Sequence, residues 1–125
     1  MAKESLSISI DFTNREYNQN ENFEIMQGGG YYNITCSITN GGVPISGSNT
    51  IKLYVVTSDS LDYFKTTNLV NEYDITGNAI SLTEADKKKL FNTKGHCQLI
   101  LSINGEFSLP FNYYVINNPV YELVR

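Results

Sequence analysis

The sequence predicts an all-β protein: a two-sheet β-sandwich of about eight strands with one short helix near 83–91. Three observations carry this. Apolar residues alternate with polar ones at period two along several short segments, as half-buried strands require. Those segments are separated by Gly, Asn and Pro at turn-like spacing. Composition agrees, because alanine occurs three times whereas Asn, Ile and Tyr together exceed a quarter of the chain. Few helix formers beside many β-branched and aromatic residues favour strands.

The first strand is the clearest. In SLSISIDFTN, Leu6, Ile8, Ile10 and Phe12 alternate with Ser5, Ser7, Ser9 and Asp11. The polar stretch from Arg15 to Glu21 reads as a loop, and NFEIMQ as a short strand ended by Gly28, Gly29 and Gly30. No Lys-Ser/Thr follows these glycines, so they predict a flexible turn rather than a phosphate cradle. YYNITCSIT points Tyr32, Ile34, Cys36 and Ile38 inward. Asn40, Gly41 and Gly42 turn the chain, and Val43-Pro44-Ile45 leave it extended, since proline cannot join an inner ladder.

IKLYVVT follows as a strand with mixed faces, expected to be central. Between Ser58 and Thr67 the pattern is lost, which predicts a loop or a single helical turn. NLVNEYDI and NAISLT are short strands on either side of Thr76-Gly77. Thr83, with Asp86 three residues on, resembles a capping box and starts the helix, whose Leu90 and Phe91 are available to the core. HCQLILSI aligns Cys97, Leu99, Leu101 and Ile103 on one face. Asn104-Gly105 is a strong two-residue hairpin signal. EFSLPFNYYVI returns with Phe107, Leu109, Phe111, Tyr113 and Val115 aligned, and Pro110 marks this strand as an edge or a bulge.

At 125 residues the chain predicts one domain, 1–125. No apolar run approaches the ~20 residues of a membrane helix, and MAKESLSIS lacks the apolar core of a signal peptide. The net charge of −4 argues against a dedicated nucleic-acid binder. The one basic cluster, Lys87, Lys88, Lys89 and Lys94, is expected to be the solvated face of the helix.

Residues able to carry chemistry are sparse. Cys36 and Cys97 lie 61 residues apart at inward positions, the placement of an immunoglobulin-type bridge, yet the chain has no tryptophan to complete that pattern. Folding in a reducing cytosol would leave them as two free buried thiols. His96 adjoins Cys97 on the opposite face and has no nucleophile motif around it, so a wet surface histidine is expected. Asn33-Ile34-Thr35 is a formal glycosylation sequon without a visible secretory route. No enzyme, cofactor or metal site is predicted. The nine tyrosines are the remaining signal, with Tyr31, Tyr54 and Tyr114 facing outward or ambiguous, as residues of contact or sugar-stacking surfaces do.

The order of these elements resembles the N-terminal domain of phage baseplate upper proteins from siphophages of Gram-positive hosts. The resemblance runs through FEIMQGGGYYNITCSITNGGVPISGSNTIKLYVV, then Thr76 to Leu82, Thr83 to Phe91, Gly95, Gln98 to Ile103, Phe111 to Ile116 and Asn118-Pro119. It implies an immunoglobulin-like sandwich that serves as a structural virion module, docking onto the tail hub and supporting receptor-binding components. It also implies folding in the host cytoplasm, residence in the phage tail, no catalysis, and partners among other baseplate proteins or further copies of the chain. Family members usually continue into a helical linker and a distal domain, whereas this sequence stops at Arg125. The alternative is a small adhesin or carbohydrate-binding module that stacks tyrosines on host cell-wall polysaccharide. Sheet edges attract partners, so an interface is expected on the final strand, Phe107 to Ile116, with Tyr114, Tyr113, Val115 and Pro110, or on the first strand, guarded only by Asp11.

A chelator should leave the melting temperature unchanged, as measured by thermal denaturation with and without EDTA. A drop of several degrees would show that a metal contributes to folding.

Overall fold

A computed structural model describes residues 4–12, 23–30, 32–58, 65–108 and 110–120. Its strands are β1 (Glu4–Asp11), β2 (Glu24–Met26), β3 (Tyr32–Asn40), β4 (Val43–Pro44), β5 (Ser48–Ser58), β6 (Lys65–Thr76), β7 (Ala79–Ser81), β8 (Gly95–Ile103), β9 (Glu106–Phe107) and β10 (Phe111–Ile116). Helix α1 (Glu84–Leu90) joins β7 to β8. The eight expected strands are all present; β4 is an added two-residue piece, and β9 is the detached start of the last expected strand. The polar stretch expected as a loop at Arg15–Glu21 lies outside the described residues, as does most of the patternless one after Ser58.

The strands form two sheets. In the first, β3 lies between β1, which runs parallel to it, and the short antiparallel strands β4 and β7. The second runs β2-β10-β8-β5-β6, with β9 beside β8. β5 is central, as its mixed faces predict. The period-two residues meet between the sheets. Ile8, Ile10, Ile34, Cys36 and Ile38 from one face Ile51, Leu53, Cys97, Leu99, Leu101 and Val115 from the other, each at most 3% exposed. Cys36 and Cys97 thus sit on facing sheets as free, buried thiols.

The capping box forms as the sequence predicts. Asp86 N–H donates to Thr83 Oγ1 at 3.1 Å, and Thr83 N–H donates to Asp86 Oδ2 at 3.2 Å. The basic face does not. Lys88 and Lys89 are exposed, but Lys87 is only 2% exposed and donates to Tyr32 O at 2.8 Å and to Glu84 Oε1 at 2.7 Å. With its ammonium ion satisfied by a carbonyl and a carboxylate, the long aliphatic stem can pack in the interior.

The glycine run is a tight, packed turn rather than a flexible one. Gly28 and Gly29 have φ of 86° and 66°, and Gly28 N–H donates to Phe91 O at 2.9 Å. A Cβ on Gly29 would lie 2.7 Å from the Phe91 ring. Only glycine allows this backbone to approach the end of α1 so closely.

The last expected strand is broken. Phe107 pairs with Ser102 but Phe111 pairs with Leu99, so three residues (108–110) stand against two (Ile100 and Leu101). The extra residue is a bulge, and it reverses the alternation. Phe107, expected inside, is 65% exposed, while Phe111, Tyr113 and Val115 stay in the core. Leu109, also expected inside, lies outside the described residues. Pro110 therefore marks a bulge and not a sheet edge: β10 lies inside its sheet, between β8 and β2.

Gly29→Ala should destabilise the fold by about 2–4 kcal/mol, combining overpacking against Phe91 with a strained positive φ. Gly30→Ala, where a Cβ meets nothing within 4 Å, should be near neutral. Denaturant titration of the two variants measures the difference.

Candidate docking face

The outward side chains of the larger sheet form rows set by strand register. Glu72, Lys52, Ser102 and Phe107 make one row. Leu69, Tyr54 and Ile100 make the next, with Thr67, Val56, Gln98 and Asn112 beyond them. His96, Tyr114 and Glu24 make the last. The middle is apolar. Phe107 leans on Tyr54 with ring centroids 6.0 Å apart, Leu69 is 51% exposed, and Val56 is buried although it takes no part in the core.

A second bulge builds this centre. Leu53 pairs with Asn71 but Tyr54 with Leu69, leaving Val70 as the extra residue. Val70 turns into the core at 4% exposure and Leu69 turns out beside Tyr54. The rim is polar. Gln98 Nε2 donates to Asn112 Oδ1 at 3.0 Å, and His96 meets Tyr114 edge to face with centroids 4.9 Å apart. An apolar, aromatic centre inside a polar rim is the anatomy of a protein–protein contact.

Of the expected interface residues, Tyr114 lies on this face at 38% exposure, and Pro110 is half-buried in the bulge. Tyr113 and Val115, at 3% and 1% exposure, point the other way into the core, as alternate residues of a strand must. Tyr113 donates its hydroxyl to Leu90 O at 2.6 Å and packs edge to face on Phe91. They hold Tyr114 in place from beneath and offer no surface. Tyr54 and exposed His96 face outward as expected, and Tyr31 is outside the described residues. Phe107, Leu69 and Ile100 join this face without being expected there. For Phe107 the available signal is Pro110, because a bulge there shifts every preceding residue to the other side.

The clefts are of a different character. One of about 360 Å³ has Phe12 as its one aromatic lining residue among those described, beside Asn40, Asn49 and Glu106. Another of about 490 Å³, between α1 and the β5–β6 ribbon, is lined among the described residues by Val55, Leu69, Val70, Lys88 and Lys89, with no aromatic ring among them. Among the described residues no three His, Cys, Asp or Glu side chains cluster as metal ligands, and no helix is long and apolar enough to cross a membrane. Burial pushes the Cys36 thiol up to about 12 and raises Cys97, whose hydrogen bond with Tyr113 works in the opposite direction. Both are held as neutral thiols rather than nucleophiles.

No protein-family model and no curated protein matches the chain. Among solved structures, the N-terminal domain of phage TP901-1 ORF48 matches with a TM-score of 0.55 at 13% identity, over 90% of this chain and 98% of that one. That neighbour is a baseplate protein. The resemblance drawn from the sequence therefore holds at the level of fold.

The buried thiols generate a pH dependence. Below pH 9 the thiol of Cys36 is protonated in both folded and unfolded chains. Above that the unfolded chain ionises first, so stability should fall by about 1.4 kcal/mol per pH unit from this group until about pH 12. Cys36→Ala should flatten that limb of the stability curve in denaturant titrations from pH 8 upward. In a thiol titration without reductant, denatured protein should react at two sites.

Proposed function

We propose that the chain is a structural part of a phage tail baseplate that docks onto the tail hub and supports receptor-binding components. The observation that carries this is the apolar, aromatic outer face of the larger sheet. A fold alone assigns no task, but an outward centre of Phe107, Leu69, Tyr54 and Ile100 with Tyr114 at its rim gives the fold a surface that gains from being covered. Likeness to the ORF48 domain supplies the kind of assembly. In this reading the chain binds and positions other proteins and performs no catalysis. A part repeated around a tail meets the hub, its own copies, or both.

Sugar binding would require aromatic rings gathered in a concave groove beside amides or carboxylates. Among the described residues, Tyr54, Phe107 and Tyr114 lie on a sheet face, and the two clefts above are lined by one aromatic residue at most. Assembly fits these positions better than a cell-wall polysaccharide does.

The test is capture of the cognate tail-hub protein by the wild-type, Tyr114→Ser and Phe107→Ser chains. Covering the exposed 38% of Tyr114, from a side chain offering ~200 Å², is worth about 2 kcal/mol at ~25 cal/mol/Å². Tyr114→Ser should therefore weaken capture about thirtyfold, and Phe107→Ser by at least as much. Unchanged capture would move the docking surface elsewhere, and no capture by wild type would favour the polysaccharide reading.

A further inference from the structure

On a chain of net charge −4, the cleft of about 490 Å³ between α1 and the β5–β6 ribbon is basic. Lys88 and Lys89 line it, and no carboxylate is among its described lining residues. The carboxylates of the bordering elements are engaged elsewhere. Glu84 pairs with Lys87 at 2.7 Å. Asp86 is buried and accepts from Asn71 Nδ2 at 3.0 Å and from Thr83 N–H at 3.2 Å. On β6, Glu72 stands opposite Lys52, and Asp74 accepts from Thr50 Oγ1 at 2.8 Å. The negative end of α1 is blunted, because the Tyr113 hydroxyl takes the Leu90 carbonyl and Gly28 N–H takes that of Phe91. Among the described residues neither Lys88 nor Lys89 has an acidic partner.

Lys89 is also aimed. Its ammonium donates to Val70 O at 3.3 Å, the carbonyl of the extra residue in the β6 bulge, which leaves two N–H groups for another acceptor. Beneath the lysines lie Val55 and Val70, with Thr57, Asn68 and Thr93 beside them. Charge of one sign in a concavity raises the local potential. Two cations over an apolar floor suit a carboxylate carried on an apolar chain. No aromatic ring is among the described lining residues, so a neutral sugar has nothing to stack on. Leu69, at 51% exposure, lines this cleft and also belongs to the apolar centre of the outer face beside Tyr54. A protein lying on that face therefore reaches the cleft across Leu69 without a break.

We propose that this cleft binds an acidic segment of the protein that docks on the outer face. Carboxylates of the segment meet Lys88 and Lys89, and a leucine-sized side chain packs beside Leu69. The inference rests on the docking reading above and adds the chemistry by which the partner is chosen. The apolar floor favours a protein segment over a phosphate-bearing polyol, which offers nothing apolar to cover it. Continuity through Leu69 favours the docking partner over a detached ligand. Such charge pairs at the margin of a contact set encounter rate and register.

The test titrates the end-capped peptide Gly-Leu-Asp-Glu-Leu-Gly into the chain and follows backbone and lysine side-chain resonances by NMR. Lys88, Lys89, Val70 and Thr93 should shift, and raising the salt to about 0.5 M should weaken binding. Lys88→Gln combined with Lys89→Gln should lower the affinity about tenfold while the melting temperature holds. Tyr114→Ser, separated from the ribbon by β8, should leave it unchanged. Equal binding of the peptide with Asn and Gln in place of its acids would overturn the proposal. Displacement of the peptide by an equal concentration of glycerol phosphate would assign the cleft to a phosphate and overturn it too. Asp59 and Asp62 lie between β5 and β6 in the sequence, so tighter peptide binding after Asp59→Asn and Asp62→Asn would assign the lysines to the chain's own carboxylates. Self-association of the wild-type chain that the lysine variant abolishes would assign them to a second copy, and either result overturns the proposal. Hub capture separates this inference from the docking reading. Peptide binding by a chain that captures no hub would sustain the cleft and remove the docking reading. Hub capture equal in wild type and lysine variant, without peptide binding, would remove the cleft alone.

Discussion

Much of the sandwich converges on the last turn of α1. The Leu90 carbonyl takes the Tyr113 hydroxyl from β10, the Phe91 carbonyl takes Gly28 N–H from the turn after β2, and Lys87 reaches the Tyr32 carbonyl at the start of β3. A helix C-terminus leaves carbonyls that its own turns cannot satisfy. Here those groups and the lysine beside them become the fastening between the two sheets, because their partners come from both. The helix is too short to be stable alone. It exists through its capping box and these contacts, and in return it ties β3, β10 and the turn after β2 to one another.

Two single-residue insertions then shape the surface. Each bulge lets a strand keep its apolar residues inside along part of its length and present them outside along the rest. In β6 the change occurs at Val70, and between β9 and β10 it occurs at residues 108–110. Leu69 and Phe107 owe their exposure to these positions and lie on either side of Tyr54. A perfectly regular sheet built from the same residues would bury both and leave Tyr54, Val56 and Ile100 as the apolar part of the outer face.

The same bulges separate what is legible without coordinates from what is not. The strands, the helix and its cap, the inward set from Ile8 to Leu101, and the central place of β5 all follow from local periodicity and turn chemistry, which act within a few residues. Periodicity misplaces Phe107 because alternation does not carry across Pro110, where a proline has no N–H to keep the ladder regular. Charge patterning misplaces Lys87 because a lysine's burial depends on a carbonyl far along the chain, at Tyr32, that no spacing announces. Parity alone places Tyr114 correctly. The same parity turns its neighbours Tyr113 and Val115 inward, so one strand cannot offer all three to a partner.

The way β2 lies beside β10 has a mechanical meaning. The two run parallel over Glu24–Met26 and Tyr114–Ile116, bracketed by bonds from Tyr114 N–H to Phe23 O and from Gln27 N–H to Ile116 O, both 2.9 Å. The chain enters β2 at the end of this strip where β10 begins, and leaves β10 at the opposite end. Tension along the polypeptide therefore slides one strand along the other and loads the whole strip at once. A hairpin pulled from its open end would instead lose its bonds one by one. Forced unfolding is governed by the rate of crossing such a barrier, so a pull entering at the start of β2 and leaving at the end of β10 meets this short ribbon in shear rather than by peeling.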